Sequence, residues 1–260
     1  LLSFFFLTLG KMAISELARQ SVKRSGWTTS YPQMFSIVTV TALGKYIPGS
    51  IWHLAARVTA YKENQFSNKK IINGMIIENA WLVSGAVVFG LFMTALKLPM
   101  DYIYSLIKIN PSPTFWLVFK IALPFVWVIG LILLEVIFPA ETTESIWKRI
   151  ATLILLQVVI WACLGTSFFF VCKDIGVANY WLIIGGYSLS WMVGYIAIFA
   201  PGGIGVREFV LVALFSSLIP ASQIAIYSVI HRLIFTLVDI GLGALGMAIQ
   251  RSLTKNRESA

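Results

Sequence analysis

Residues 177–208 decide the fold class, and they read VANYWLIIGGYSLSWMVGYIAIFAPGGIGVRE. Positions 177–199 carry no charged residue and are long enough to cross a bilayer as a helix. A proline and three glycines then follow within positions 201–205, with an arginine and a glutamate close behind. This pattern predicts a membrane helix that is broken next to charged residues, where unwound backbone must be buried in protein or line a cavity.

The composition of the whole chain agrees with a membrane protein. Of its 260 residues, 58% are hydrophobic and 12% charged, whereas a soluble domain carries about 25% charged residues. These numbers exclude a water-soluble domain, a disordered chain and a disulfide-stapled module. Residues 1–260 are therefore predicted to form a single, all-α, polytopic transmembrane helical bundle. Its other apolar segments lie at about 32–60, 71–96, 114–138, 148–172, 201–218 and 222–249.

The basic residues predict an orientation. If segment 32–60 returns to the side from which it starts, twelve Lys and Arg fall on one face of the membrane and three on the other. Cytoplasmic loops carry an excess of Lys and Arg. We therefore expect a multi-pass protein of the cytoplasmic membrane with both ends of these residues in the cytoplasm. The basic clusters are 11–24, 62–70, 148–149 and 251–257.

Two stretches outside the long apolar segments carry expectations of their own. The chain starts at Leu1 without a Met, and its apolar run at 1–9 is too short to span a bilayer. We interpret that run as the remnant of a longer, N-terminally truncated helix, followed by a polar stretch at 11–24. Residues 100–113 hold two tyrosines and two prolines and predict an interfacial segment.

The first Pro-Gly element is GKYIPGS at 44–50. Proline and glycine together suit a chain that stops, turns and begins a new helix, although a simple kink is the alternative interpretation. His53 and Arg57 lie four residues apart and would share a face of that new helix. The candidate binding residues of this element are Lys45, Pro48, Gly49, His53 and Arg57.

The second Pro-Gly element is the one that ends the stretch quoted above. Its glycines allow the backbone to unwind and to approach a ligand closely. Its candidate binding residues are Pro201, Gly202, Gly203, Gly205, Arg207 and Glu208. An early and a late break are typical of transporters with internal pseudo-symmetry, so the bundle is predicted to have two broken or re-entrant helices, related as an inverted repeat.

The charges near the breaks favour an anionic ligand. A charge at the membrane centre is costly and calls for a partner or a function. Lys45, Arg57 and Arg207, with the positive ends of two new helices, favour a phosphate. Glu208, together with Glu78 or Asp239, would balance these charges or meet a cationic head group.

Three further charged residues lie in the apolar segments. Arg232 and Asp239 lie seven residues apart on one face of the last span. They either neutralise each other or contact a ligand. Glu135 lies near a helix end and is expected to reach the membrane interface.

The sequence predicts no catalytic residue, metal or cofactor. A G-x-G-x-x-G match at 241–246 lies inside an apolar span, where small residues indicate close helix packing. His53 and His231 have no carboxylate or cysteine at metal-ligand spacing. The basic residues do not form one face, so nucleic acid is not predicted as a partner.

The two Pro-Gly elements resemble the conserved stretches of the lysylphosphatidylglycerol synthase transmembrane-region family. These are flippase-like membrane domains, among them the membrane half of the multiple peptide resistance factor. Arg232 with Leu233 resembles the family's Arg-Leu in the last span, and Glu78 lies where an acidic residue often follows the first motif. The family pattern P-G-G-x-G-x-x-E is matched at Pro201, Gly202, Gly203, Gly205 and Glu208.

The resemblance implies a membrane protein that handles lipids or lipid-linked anions, and some members move aminoacylated phosphatidylglycerol between leaflets. It does not imply the synthase reaction, which belongs to a separate soluble domain of the resistance factor. The leading hypothesis is a lipid flippase for an anionic or aminoacylated phospholipid or a lipid-linked glycan precursor. The alternatives are an accessory subunit for a synthase or glycosyltransferase of the cell envelope, and a membrane-embedded transferase with Glu208 or His53 as base. The sequence leaves the oligomeric state open.

Overall fold

The chain folds into α-helices joined by short turns, and the described residues contain no strand. The computed structural model describes residues 1–48, 51–63, 67–95, 112–172, 175–197 and 199–258. The prediction of an all-α helical bundle is confirmed. The α-helices are α1 (Leu2–Arg24), α2 (Tyr31–Ala42), α3 (Trp52–Glu63), α4 (Asn68–Ala95), α5 (Pro113–Ile137), α6 (Ile146–Phe169), α7 (Tyr180–Ile196), α8 (Val206–Phe215) and α9 (Ala221–Glu258).

Several helices are long and apolar enough to cross a membrane. Within the described residues there are four of them by length and composition. They correspond to α4, α5, α6 and most of α9, and each overlaps an apolar segment predicted from the sequence. The protein is therefore a multi-pass membrane protein. The four spans are Asn68–Ala95, Thr114–Ile137, Ile146–Phe169 and Ala221–Lys255.

Helix starts follow local sequence. Ser30 precedes α2 and accepts a hydrogen bond from the backbone N–H of Gln33 at 3.4 Å. Ser112 precedes α5 and accepts one from the backbone N–H of Phe115 at 3.2 Å. In both helices a proline occupies the first turn, where its missing N–H costs nothing. Of the predicted interfacial segment, residues 100–111 lie outside the described part of the chain.

The start of the chain differs from the sequence-based expectation. Residues 2–9 and 11–24 belong to one helix, α1, whose 23 residues span roughly 34 Å. The prediction of a polar stretch at 11–24 is wrong, because Leu17 and Val22 continue the buried face that begins at Leu7. Lys11 lies on that face and is only 8% exposed. It therefore no longer belongs among the cytoplasmic charges counted above.

The core lies where α1, α4, α6 and α7 pack together. Trp161 and Phe168 of α6 and Tyr187 of α7 are almost fully buried there. Helices α4 and α7 approach closely at Gly90 and Gly185. A Cβ at Gly185 would lie 2.9 Å from the carbonyl oxygen of Gly90, so the glycine permits this contact. Helix α5 packs only at the edge of this bundle and exposes most of its apolar side chains. In a membrane those side chains face lipid.

Candidate functional site

The two Pro-Gly elements share a local layout. After α2 the chain forms a 3₁₀ turn, Leu43–Tyr46, and α3 begins at Trp52. After α7 it forms a second 3₁₀ turn, Pro201–Gly203, and α8 begins at Val206. Gly49 lies outside the described residues. Re-entry of either segment into the membrane, and an inverted repeat, remain predictions.

The two turns meet in space, although 155 or more positions separate them in the sequence. A Cβ built on Gly202 would lie 3.8 Å from the backbone oxygen of Lys45. The second turn takes its shape from Gly202, Gly203 and Gly205, whose φ angles of 57°, 74° and 81° are disfavoured for other residues. Backbone from both elements therefore contributes to one place in the bundle.

A cavity of about 170 Å³ opens where the two turns meet α1 and α9. This is about ten times the roughly 15 Å³ that one water needs. Its charged lining consists of five basic residues and one acidic residue: Lys11, Lys45, Arg57, Arg207, Arg232 and Asp239. Of the residues predicted from the sequence, those that line the cavity are Lys45, His53, Arg57, Gly202, Gly203, Arg207, Arg232 and Asp239.

The other predicted residues lie around this lining. Glu78 and Glu208 each stand behind the cavity as the partner of a lining arginine. Pro48 is exposed, and Pro201 and Gly205 shape the backbone of the second element without lining the cavity. The role of each residue in binding remains a prediction.

Asp239 connects three elements. Its carboxylate forms ion pairs with Lys11 of α1 and Lys45 of the first turn, and it accepts a hydrogen bond from the Tyr46 hydroxyl at 2.6 Å. Of the two ammonium groups, Lys11 is the more deeply buried. One carboxylate therefore holds two cations, which leaves this part of the cavity positive.

Arg232 does not pair with Asp239, so that alternative is wrong. Its guanidinium donates to Glu208 at 2.6 Å and to the carbonyl oxygen of Gly202 at 2.8 Å. The two residues share a face of α9, but one lies beside the second turn and the other beside α1 and the first turn. Arg232 and Asp239 each pair with the residues that neighbouring elements place beside them, and not with each other.

Arg57 and Glu78 form a buried ion pair between α3 and α4. The Arg57 Nε also donates to the Thr41 hydroxyl at 3.3 Å. The second carboxylate oxygen of Glu78 is buried without a hydrogen-bond partner among the described residues. Breaking such a pair leaves an uncompensated charge in a dry environment, so the pair fixes α3 against α4.

Arg207 has no carboxylate within 4.0 Å in the described part of the chain. Its guanidinium donates to the Tyr187 hydroxyl at 2.7 Å and lies 5.3 Å and 5.4 Å from the ring centroids of Tyr187 and Phe235. Both rings offer a face to the cation, which partly offsets its burial. Among the described residues, no carboxylate within 4.0 Å neutralises this guanidinium.

Lys11 and Tyr46 are site residues that the sequence analysis missed. Lys11 was counted with the cytoplasmic charges because polar residues follow it closely. The signal that would have placed it in a helix is the recurrence of apolar residues every three to four positions through 7–22. No pattern in the sequence identifies Tyr46, whose hydroxyl meets Asp239 only through the fold.

The position of Glu135 also differs from the expectation, because its carboxylate is buried between two arginines and does not extend by itself to the membrane interface. Its side chain is 6% exposed and accepts hydrogen bonds from Arg24 at 2.7 Å and Arg149 at 2.6 Å. Two of the twelve residues counted as cytoplasmic, Lys11 and Arg24, are thus buried in ion pairs. The cluster around Glu135 joins α1, α5 and α6 and lies outside the cavity lining.

Exposed apolar side chains flank the two elements. Ile47 and Trp52 follow the first turn, and Phe199, Ile204 and Phe209 surround the second. All five are large and exposed, and each is within two positions in the sequence of a residue that lines the charged cavity. A molecule with a charged head and an apolar body would find both kinds of surface here.

Comparison with known proteins gives two matches. The family model described as lysylphosphatidylglycerol synthase TM region matches residues 1–243, which include both Pro-Gly elements and every predicted site residue. A protein of Bacillus subtilis (strain 168) named phosphatidylglycerol lysyltransferase is 25% identical over 204 residues. That alignment covers 75% of this chain and 23% of the relative, so the chain spans about a quarter of the relative's length.

Proposed function

The chain belongs to the lysylphosphatidylglycerol synthase transmembrane-region family, and from this premise we propose that it binds an anionic lipid and moves it between the leaflets of the cytoplasmic membrane. Membership confirms the resemblance drawn from the two Pro-Gly motifs. The transport activity and the lipid are the proposal. The name of the Bacillus relative describes that longer protein.

The observation that carries the proposal is the basic lining of the cavity between the two turns. Five cations and one carboxylate face a space larger than any single water requires. Buried charge in a membrane protein faces a cavity or a partner, and such residues mark substrate pathways. An anionic head group is the ligand whose charge this lining offsets.

The exposed apolar side chains support a lipid over a soluble anion. Ile47 and Trp52 of the first element and Phe199 and Phe209 of the second are exposed, and each lies within two positions in the sequence of a residue that lines the cavity. A phosphate in the cavity would leave acyl chains against these side chains and the surrounding bilayer. Burial of apolar chains would then add to the electrostatic attraction of the head group.

Two ion pairs supply a means of alternation. Lys45 with Asp239 holds the first turn to α9, and Arg232 with Glu208 holds α8 to α9. A head group that competes for these cations would loosen one contact before the other and expose the cavity to each side in turn. Lys148 at the start of α6 and Arg251 near the end of α9, both exposed, would face the cytoplasm in this arrangement. The start of α1 would face the other side, because Ser3 contacts Ser167 at the far end of α6.

The test is lipid translocation in vesicles that contain the purified protein and a fluorescent anionic lipid. We expect Arg207→Gln to slow translocation at least about tenfold, because a charge-assisted hydrogen bond contributes about 1.5–3 kcal/mol. The matched control is Arg251→Gln, an exposed arginine near the end of α9 that should leave the rate unchanged. Lys45→Gln provides a second variant if the first does not fold.

Equal rates for wild type, Arg207→Gln and empty vesicles would contradict the proposal. A product that forms only when a lipid acceptor is added would favour the transferase alternative. Loss of activity in a partner enzyme alone would favour the accessory role. Glu208→Gln is a further variant for these assays. It removes the carboxylate that holds Arg232 and leaves every cation of the cavity in place.

A further inference from the structure

The positive charge of the cavity is unevenly distributed. Two of its cations are neutralised one to one, Arg57 by Glu78 and Arg232 by Glu208. Of the remaining three, Lys11 and Lys45 share the carboxylate of Asp239, and Arg207 has none within 4.0 Å among the described residues. Among the described residues, the cavity and its direct partners therefore carry two more positive than negative charges when every lysine and arginine is protonated and both histidines are neutral.

The three cations that carry this excess converge on one ring. The ammonium of Lys11 lies 3.6 Å from the centroid of Phe235, that of Lys45 4.6 Å, and the guanidinium of Arg207 5.4 Å. They come from three different elements, α1, the first turn and α8. Phe235 thus marks a position at which three donors from different directions can meet one group.

A phosphomonoester matches this arrangement in charge and in acceptors. It carries a charge of about −1.5 to −2 near neutral pH and three strong acceptor oxygens. A phosphodiester such as phosphatidylglycerol carries one negative charge and two free oxygens. A lysyl ester of that lipid is net positive, and its ammonium groups would add to the excess at Lys11, Lys45 and Arg207.

We propose that the cavity is built for a lipid phosphomonoester, whose phosphate sits beside Phe235 and binds Lys11, Lys45 and Arg207. This inference rests on the proposed function and names the lipid class of the same site. Phosphatidic acid and a polyprenyl monophosphate both belong to this class. The apolar side chains around the two elements would carry their hydrocarbon.

The experiment is calorimetric titration of the purified protein in detergent with short-chain phosphatidic acid and with its methyl ester. The two ligands differ by one methyl group and one negative charge. We expect phosphatidic acid to bind at least about tenfold tighter, since loss of one charge-assisted hydrogen bond corresponds to that factor or more. Arg207→Gln should reduce the preference, whereas Arg251→Gln, at an exposed position, should preserve it.

Three results would overturn this inference. Equal affinity for phosphatidic acid and its methyl ester would show that the second negative charge of the phosphate does not contribute to binding. Tighter binding of lysylphosphatidylglycerol would place the cationic lipid in the site. Inorganic phosphate that binds as tightly as phosphatidic acid would make the ligand a soluble phosphate.

Failure of the proposed function gives a different result. If none of the anionic lipids binds, both proposals fall together. If the monoester and the diester bind equally and Arg207→Gln weakens both, the lipid site stands and only the monoester preference falls. Lys45→Gln should repeat the effect of Arg207→Gln and serves as the second variant if that protein does not fold.

Discussion

Replacement of Glu135 by Gln is expected to destabilise the bundle strongly. Glu135 is the only carboxylate that the described residues offer to both Arg24 and Arg149. One nitrogen of each arginine is already buried without a partner, Nη2 of Arg24 and Nε of Arg149. The substitution keeps the size of the side chain and removes the charge that both guanidinium groups share.

The expected magnitude follows from burial. The exposed fractions of the side chains are 2% for Arg24, 13% for Arg149 and 6% for Glu135. Removal of one partner of a buried pair costs about 3–5 kcal/mol, because a charge is left uncompensated. For a protein of this size 1 kcal/mol lowers the melting temperature by about 2–4 °C, so Glu135→Gln should lower it by about 6–20 °C.

The assay is thermal unfolding in detergent, followed through tryptophan fluorescence. The matched control is Glu141→Gln, because Glu141 pairs with Lys70 at 2.5 Å but is 54% exposed. An exposed pair is worth about 0–1 kcal/mol, which predicts a shift of a few degrees at most. Equal melting temperatures for the two variants would refute the reasoning and show that the cluster around Glu135 is hydrated in the folded protein.

Two further predictions concern space and pH. Gly194→Ala should weaken lipid binding and lower stability, because a new Cβ would overlap the Cγ of Arg207 and force that whole side chain to move; Gly130→Ala, which meets nothing within 4 Å, is the control in the same titration. In the loop between α5 and α6, a hydrogen bond from Lys23 lowers the pKa of Glu144, so its stabilising effect is present above the unfolded pKa and lost as pH falls through the folded one. Unfolding curves of wild type and Glu144→Gln should therefore differ at neutral pH and converge in acid; a constant difference would contradict this.

The candidate site was predictable in part. Both Pro-Gly elements stand out in the sequence because proline and clustered glycines interrupt long apolar segments. Charges near such breaks are few, so Lys45, Arg57, Arg207 and Arg232 could be selected as candidates. Their partners could not, because each ion pair joins elements that are far apart in the chain.

Lys11 illustrates the limit of local reasoning. In the sequence it begins a stretch with several basic residues, as a cytoplasmic flank does. In the fold it pairs with Asp239, which lies 228 positions later. A charge count by sequence position does not separate a lysine that faces water from one that faces a carboxylate on another helix.

The sequence alone determined that this is a membrane protein and that it is helical. Long uncharged segments can satisfy their backbone hydrogen bonds in lipid only as helices. The sequence also predicted breaks at the two Pro-Gly elements. Only the tertiary structure decided that the two unwound turns touch and that Lys11, Lys45 and Arg207 converge on Phe235. The reason is that helix packing brings together residues from opposite ends of the chain, and charge pairing depends on those distances rather than on spacing along the sequence.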